Sequence, residues 1–146
     1  MTEGKLLTIW IKRMKLGPMD KVDEAQVIAG RGIVGNADQG GRRQVTIIEQ
    51  ERWEQLMRQL GTSLPASVRR ANLMIGGISL IGSRGRILRI GECQIRIFGE
   101  TKPCERMDEA YLGLREAMVK DWGGGAFGEV INDCQIRVGD QVFWEK

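Results

Sequence analysis

The sequence contains no histidine in its 146 residues. This excludes a nucleophile activated by histidine, a zinc site built on imidazole, and the usual general base near neutral pH. Aromatic residues make up only 5% of the chain, and the formal charge is only +3, from 22 basic and 19 acidic residues. Both values are too small for a protein whose main task is to wrap nucleic acid. Chemistry must therefore come from thiol, carboxylate or amine groups, or from a bound cofactor.

The chain also lacks a long apolar run, since no segment approaches the ~20 apolar residues that cross a bilayer. Its first residues, MTEGKLLTIWIKRM, have charges on both sides of a short apolar run and no small-residue cleavage site, unlike a signal peptide. We therefore expect a cytoplasmic location and no membrane contact. The length, with 42% hydrophobic and 28% charged residues, fits a single domain over residues 1–146.

Cysteines are few, and their number is odd: Cys93, Cys104 and Cys134. The wide spacing argues against a disulfide framework and against the paired halves of a structural zinc site. We expect all three to be reduced thiols. Cys93 and Cys134 lie in phase with apolar neighbours, as small buried hydrophobic side chains do.

Cys104 belongs to no apolar stripe and directly precedes a predicted helix that begins near Glu105. Unpaired backbone N–H groups, the helix dipole and the cations Lys102 and Arg106 all favour a thiolate at such a position. Glu100 and Glu105 act in the opposite direction. A cysteine can also occupy a helix start by chance, but the combination favours Cys104 as the catalytic residue and as a metal ligand.

Period-two alternation predicts a mainly β protein. Strands are predicted over residues 7–11 and 22–28, in a hairpin that turns at Gly91-Glu92, and in a second hairpin that turns at Gly139-Asp140. About seven short strands predict a closed or nearly closed β-barrel with two or three short helices.

Two of those helices can be located in the sequence. Thr46 and Glu49 have the spacing of a capping box, and the apolar face that follows ends before Gly61. Apolar residues at helical spacing predict the second helix over residues 105–120.

Two polar segments are candidates for anion binding. Residues 30–43, GRGIVGNADQGGRR, form a predicted irregular loop in which Arg31, Arg42 and Arg43 could hold an oxyanion through bidentate hydrogen bonds. Arg69, Arg70 and Asn72 form a second polar cluster. Taken singly, each arginine is explained about as well by a solvated charged face. Residues 123–125, with Gly128, predict a further, flexible loop.

Four segments together resemble the MOSC family, the domain found at the C-terminus of molybdenum cofactor sulfurases. They are GRGIVGNADQGGRRQVTIIE, RRANLMIGGISL, IGECQIRIFGETKPCERMD and GGGAFGEVINDCQIRVGDQV, which extend over nearly the whole chain. The most specific part is TKPCERMD, because the family has its functional cysteine in such a segment, which is Cys104 here. RQVT and VGD are less specific. Where many members have a more acidic stretch, often with a histidine, this chain has Gly35-Asn36-Ala37-Asp38, which argues against an acid or base role for this loop.

The resemblance implies a MOSC-type β-barrel that binds molybdenum cofactor (molybdopterin), or that receives and passes sulfur as a cysteine persulfide. Cys104 would ligate molybdenum or carry the sulfur. The candidate cofactor contacts are Arg31, Arg43, Arg70, Asn72, Lys102 and Arg106.

The resemblance also implies partners, either a molybdenum enzyme or a cysteine desulfurase. Pyridoxal phosphate would belong to such a partner, because 146 residues cannot hold that domain as well. Any activity of the chain itself would be that of a sulfurtransferase-like sulfur carrier.

Two rival functions stay open. A small basic β-barrel could bind RNA or another anionic ligand, in line with an isoelectric point near 8.9, although the scarcity of aromatic residues disfavours nucleic acid. A thiol or persulfide sensor without metal is the other. Salt-dependent retention of oligonucleotides would favour the first, and oxidant-sensitive labelling without cofactor binding the second.

Overall fold

The computed structural model describes residues 4–146, and most of its elements are short strands. The strands are β1 (Gly4–Lys12), β2 (Met19–Val22), β3 (Glu24–Ile28), β4 (Gly32–Ile33), β5 (Val45–Glu49), β6 (Leu73–Gly76), β7 (Ile87–Ile90), β8 (Cys93–Glu100), β9 (Ala126–Val130), β10 (Cys134–Arg137) and β11 (Gln141–Trp144). The helices are α1 (Gln50–Leu60), α2 (Arg106–Ala110) and α3 (Leu114–Ala117), with a 3₁₀ turn at Ala66–Arg69.

Seven of the strands close into a barrel in the order β11-β7-β8-β9-β5-β6-β1, because β11 also pairs with β1. The β5–β6 pair is parallel, whereas the other barrel pairs are antiparallel. β2 extends the sheet beyond β1, and β10, β3 and β4 form a separate small sheet. The predicted mainly β fold with a closed barrel and short helices is confirmed.

Large apolar side chains fill the barrel, and each stabilises the fold by about 1.5–3 kcal/mol when fully buried. Those with almost no exposed surface include Leu6, Ile9, Ile47, Leu73, Ile75, Leu88, Ile90, Ile95 and Ile97. A second cluster packs the helices against one another and consists of Trp53, Leu56, Met57, Met107, Leu114 and Met118. Through Met107 this cluster fixes α2, and with it the segment that carries Cys104. No helix among residues 4–146 is long and apolar enough to cross a membrane.

The predicted strand over residues 7–11 is part of β1, but its burial differs from simple alternation. A shift in register against β6 between Leu6 and Thr8 buries Leu6 and leaves Leu7 partly exposed. Trp10 lies on the opposite face from Ile9 and is also buried, because it packs in a small cluster with Ile48 and Ala71. Simple alternation would bury one face of the strand, but β1 is covered on both sides. The predicted second strand, over residues 22–28, is divided between β2 and β3.

The predicted capping box at the start of α1 is wrong. Thr46 and Glu49 lie in β5, and the Thr46 hydroxyl hydrogen-bonds Asn72 instead. The Glu49 carboxylate accepts a hydrogen bond from the backbone N–H of Leu80 at 3.0 Å, and its burial raises its pKa. The prediction of the helix itself is correct. Its apolar face is buried, and it ends before Gly61, whose φ of 68° lies in the left-handed region.

The predicted helix over residues 105–120 is two helices, α2 and α3. Tyr111 is extended and Gly113 has a φ of 93°, so the helix is interrupted between them. The Asp108 carboxylate accepts hydrogen bonds from the backbone N–H groups of Gly113 and Arg115, at 3.2 and 3.1 Å, and so begins α3. The predicted apolar stripe is still buried, because α2 and α3 both contribute side chains to the same hydrophobic cluster.

The predicted hairpin at Gly91-Glu92 is present between β7 and β8, but the one at Gly139-Asp140 is not a hairpin. β10 pairs with β3, whereas β11 pairs with β7 and β1. The connecting turn lies against β1, since Gly139 donates to the carbonyl of Leu6 and Leu6 donates to that of Asp140. The turn residues show where the chain turns but not which strands pair.

Cys93 and Cys134 are joined by a disulfide, with their Cα atoms 5.8 Å apart. The expectations of three reduced thiols and no disulfide are therefore wrong for this pair. The partners are 41 residues apart and begin strands of different sheets, so sequence spacing does not indicate the pairing. Cys93 is fully buried, as predicted, whereas Cys134 is only partly buried. Cys104 is the free cysteine.

We expect the double substitution Cys93→Ser, Cys134→Ser to lower the free energy of unfolding by about 2–4 kcal/mol, because the cross-link restricts the unfolded chain. Urea denaturation measures the change. Protein unfolded without reductant should titrate as one thiol per chain, from Cys104. Three thiols per chain, with a stability that reductant does not alter, would contradict the disulfide.

Candidate functional site

A cavity of about 290 Å³ lies where β1, β5, the 3₁₀ turn and the segment before α2 meet. Its charged lining residues are Lys12, Asp38, Arg43, Arg69, Arg70 and Arg106. The others are Thr46, Asn72, Thr101, Cys104 and Met107. A larger, more open depression of about 560 Å³ between α1 and α3 contains none of the predicted site residues and no thiol. The smaller cavity is therefore the candidate site.

The fold brings together five of the predicted site residues, from distant parts of the sequence. They are Arg43, Arg70, Asn72, Cys104 and Arg106. Two others, Arg31 and Lys102, are exposed and do not line the cavity. Arg31 lies in the turn after β3, where its backbone bonds Ile28 and Gly40. A contact of Arg31 or Lys102 with a ligand stays a prediction.

Sequence reasoning missed Lys12, Asp38 and Thr101, and it noticed Arg69 without selecting it. Lys12 ends an ordinary strand, and Thr101 begins the TKPCERMD segment, in which only Lys102, Cys104 and Arg106 were selected. For Arg69, the sequence indicates a possible role through its position beside Arg70 and Asn72. Burial, which separates Arg69 from the surface arginines, is not visible in the sequence.

Arg69 is a buried cation with an unused hydrogen-bond donor. Its side chain is only 9% exposed, and one guanidinium nitrogen donates to the carbonyl of Gly124. Burial lowers the pKa of Arg69 to about 10; Cys104 opposes this shift and Arg43 adds to it. The guanidinium therefore stays charged at neutral pH. Its Nε is buried and has no hydrogen-bond partner within residues 4–146.

Thr101, which also lines the cavity, carries a second unpaired polar atom. It is 5% exposed, and its Oγ1 has no hydrogen-bond partner in the described part of the chain. A buried polar group without a partner costs about 1–3 kcal/mol. The two unpaired groups, Arg69 Nε and Thr101 Oγ1, would both be satisfied by a ligand that accepts hydrogen bonds, such as an oxyanion.

The cavity has an excess of positive charge. Its carboxylate, Asp38, forms an ion pair with Lys12 at 2.7 Å, so the two charges compensate each other. The four arginines of the cavity have no carboxylate within ion-pair distance among residues 4–146. Clustered, unneutralised guanidinium groups favour a multiply charged anion such as phosphate.

Asn72 shapes the cavity wall through hydrogen bonds within the protein. Its side-chain oxygen accepts from the backbone N–H and hydroxyl of Thr46, and its amide nitrogen donates to the carbonyl of Trp10 and to Asn36 Oδ1. Asn36 in turn accepts from the backbone N–H of Lys12. The side chain thus uses its full bonding capacity to hold β1, β5 and the loop after β4 together. A direct ligand contact by Asn72 stays a prediction.

Residues 123–125 form a loop, as predicted, but Gly124 and Gly125 are buried and pack tightly beneath the cavity rather than flexibly, and Gly128 belongs to β9. A Cβ on Gly124 would overlap the carbonyl oxygen of Thr101 and lie 3.2 Å from the Arg69 guanidinium. Gly125 has a φ of 86° and accepts a hydrogen bond from the backbone N–H of Thr101 at 2.8 Å. The glycines are needed for close backbone approach.

Cys104 lies at the rim of the cavity with its side chain exposed. It precedes α2 as predicted, and its carbonyl accepts from the backbone N–H of Met107. Since α2 has only five residues, its dipole is small. The positive surroundings of the thiol therefore come mainly from the arginines of the cavity rather than from the helix.

The described residues offer no group of three or more cysteine, aspartate or glutamate side chains that could hold a bare metal ion. A metal in this cavity would therefore need its own organic ligand, with Cys104 as a protein donor. The unpaired Arg69 Nε and Thr101 Oγ1 fit the phosphate of such a ligand. The residues present are thus compatible with a metal-bearing, phosphorylated cofactor.

The fold is similar to those of small bacterial proteins of known structure. YuaD from Bacillus subtilis is 19% identical, with a TM-score of 0.80 over 97% of this chain and 97% of that one. YiiM from Geobacillus stearothermophilus is 14% identical, with a TM-score of 0.77 over 98% and 75%. YiiM from Escherichia coli is 17% identical, with a TM-score of 0.71 over 97% and 70%. At these identities the likeness shows the fold alone.

No curated protein matches the sequence. The family model of the MOSC domain matches residues 24–143, which include most of the barrel and all of the cavity lining except Lys12. The family is generally linked to molybdenum cofactor binding and sulfur transfer. By this match, the chain belongs to the MOSC domain family.

Proposed function

We propose that this protein binds molybdenum cofactor in the arginine-lined cavity and delivers the cofactor or its sulfur to a partner enzyme. The observation that carries the proposal is the pair of buried, unpaired donors, Arg69 Nε and Thr101 Oγ1, in a cation-rich cavity with a free cysteine at its rim. Family membership supports the same conclusion.

Each group of residues has a separate task in this proposal. Arg69 and Thr101 bind the phosphate, and Arg43, Arg70 and Arg106 neutralise its remaining charge. Cys104 supplies a soft thiolate to the metal. When bound, the cofactor supplies a molybdenum centre that accepts sulfur ligands. The protein supplies the anion site, the thiol and the position of one relative to the other.

Sulfur carriage is a second candidate, favoured by the exposure of the Cys104 side chain. The Cys104 thiolate would attack the terminal sulfur of a persulfide on a partner protein. A new sulfur–sulfur bond forms on Cys104 while the partner's bond breaks, the partner leaves as a thiolate, and the proton stays on the transferred sulfur. No oxidant is needed, and the chain gains the mass of one sulfur atom, about 32 Da.

The substitution Thr101→Val tests the anion site. We expect the affinity of the cofactor-free protein for a phosphorylated pterin to fall about fivefold or more, because the hydroxyl donor is lost. Affinity for the dephosphorylated pterin should be unchanged. Stability should be unchanged or rise by up to about 1 kcal/mol, since valine keeps the shape and removes an unpaired hydroxyl.

Calorimetric titration and urea denaturation measure the two quantities separately. Ser67→Ala, outside the cavity in the same neighbourhood, is the control and should change neither affinity. If Thr101→Val binds both pterins as the wild type does, the proposed phosphate site is wrong. Equal losses for the two pterins would also contradict it, because the hydroxyl would then act on another part of the ligand.

A further inference from the structure

Three exposed arginines form one face on the outside of the barrel beside the cavity. The Arg42 guanidinium lies 4.7 Å from the centre of the Phe98 ring, and that of Arg43 lies 5.1 Å from the centre of Phe127. The two rings are 6.4 Å apart. Arg84 covers the neighbouring backbone, because a Cβ on Gly99 would meet its guanidinium atoms at 3.2–3.4 Å. We call Arg42, Arg43 and Arg84 the arginine face.

The pairing of β8 with β9 brings together the residues that these arginines cover, which are Phe98, Gly99 and Phe127. Gly99 pairs with Phe127 across the two strands, and the register shift between Ile97 and Gly99 lies beside Phe98. Two steps further along the sheet, Arg96 pairs with Glu129 and forms an ion pair at 3.5 Å. The arginine face itself has no carboxylate partner within residues 4–146.

The arginine face is arranged in advance for anionic groups. A guanidinium stacked on a ring keeps its N–H donors in the plane, where they can reach a carboxylate. Stacking also restricts the side chain before binding, so less conformational entropy is lost on association. Exposed, unpaired and ordered cations on one sheet face fit an acidic surface.

Because arginines already lie over both rings, the arginine face suits a protein partner better than a nucleic acid. Single-stranded nucleic acids bind largely by stacking their bases on aromatic side chains. Here the guanidinium groups of Arg42 and Arg43 already lie over these two rings, and the whole chain has few other aromatic residues. Carboxylates need only the guanidinium edges, which stay free.

The arginine face also continues into the cavity, because Arg43 belongs to both. We propose that it is the docking surface for an acidic patch on the protein that exchanges cofactor or sulfur with the cavity. The proposal rests on the proposed function for the identity of the exchange, but not for the docking itself. A partner held here would lie next to the mouth of the cavity.

The double substitution Arg42→Gln, Arg84→Gln tests the docking surface without altering the cavity lining. The matched control is Arg58→Gln, Arg115→Gln, which removes the same charge from exposed helical positions. The probe is a fluorescent decapeptide of glutamate, with oligothymidylate of similar length as the nucleic-acid comparison. Fluorescence anisotropy at low ionic strength measures both affinities, and thermal unfolding verifies that each variant is folded.

We expect the wild type to bind the peptide more tightly than the oligothymidylate. The Arg42, Arg84 variant should bind the peptide about fivefold more weakly or worse, and the control should stay within about twofold of the wild type. Equal losses in both variants would overturn the proposal, because only net charge would then matter. Tighter oligothymidylate binding that is lost in the same variant would also overturn it, in favour of a nucleic-acid surface.

Retention of the phosphorylated pterin separates this proposal from the proposed function. The Arg42, Arg84 variant should bind the pterin as the wild type does, because neither side chain lines the cavity. Failure of pterin binding in the wild type, with peptide binding intact, would contradict the proposed function and leave the docking surface standing. Pterin binding without the expected peptide binding would contradict the docking surface but not the proposed function.

Discussion

Replacing Cys104 with serine should lower the molybdenum content of the purified protein about tenfold or more. The thiolate is the soft donor that the cavity offers to the metal, and a serine hydroxyl is a much poorer ligand for it. Stability should be nearly unchanged, because the Cys104 side chain is exposed. Elemental analysis of protein from cells that make the cofactor gives the metal-to-protein ratio.

The neighbouring substitution Glu105→Gln is the control for Cys104→Ser, since it alters an exposed residue of the same turn and should leave the molybdenum content unchanged. A Cys104→Ser protein that keeps the wild-type ratio would remove Cys104 from the metal site. In that case the sulfur-carrier role would be its remaining assignment, and the mass gain of one sulfur atom on the wild type would be the observation to seek.

Gly124→Ala should have the largest effect on stability, a loss of about 3 kcal/mol or more. The added Cβ would overlap the carbonyl oxygen of Thr101, so the backbone beneath the cavity must move. Because the Arg69 guanidinium is 3.2 Å from the same position, the anion site should be disturbed as well. Urea denaturation measures the loss, and titration with the phosphorylated pterin measures the second effect.

Gly40→Ala is the matched control for Gly124→Ala. Nothing lies within 4 Å of a Cβ on Gly40, and its φ of 71° imposes only the backbone penalty of about 1–2 kcal/mol. If Gly40→Ala destabilised the protein as much as Gly124→Ala, close packing beneath the cavity would not be the cause. A Gly124→Ala protein of wild-type stability would contradict the contact with Thr101 directly.

Features set by neighbouring residues could be predicted from the sequence. The hairpin at Gly91-Glu92 and the end of α1 at Gly61 depend on glycines with positive φ, at 59° and 68°. The buried face of α1 follows from the helical spacing of its apolar residues. In each case the residues that indicate the feature lie within a few sequence positions of the feature itself.

Features set by tertiary contacts could not be predicted in this way. The disulfide joins residues 41 apart, and β10 and β11 pair with strands from the other end of the chain. The predicted helix over residues 105–120 is interrupted because the Asp108 carboxylate accepts hydrogen bonds from the backbone N–H groups of Gly113 and Arg115, an interaction that competes with helix continuation. Local propensity contains no information about such competition.

The same distinction between local and tertiary features applies to the candidate site. Cys104, Arg106, Arg43 and Arg70 lie in segments whose residue types already indicate a site, and all four reach the cavity. Lys12 lies at the cavity at the end of β1, where hydrogen bonds from Lys12 to Asn36 and from Asn72 to Asn36 join residues 24 and 36 positions apart. Arg69 differs from Arg31 by burial rather than by sequence, and burial is decided by packing.

Native mass spectrometry of wild-type protein, gently purified from cells that make molybdenum cofactor, tests whether the cavity binds this cofactor. We expect a non-covalent adduct with the mass of a phosphorylated, molybdenum-bearing pterin, which is lost on denaturation. A folded chain that carries no such adduct, and that also fails to bind the phosphorylated pterin when it is added, would show that the proposed function is wrong.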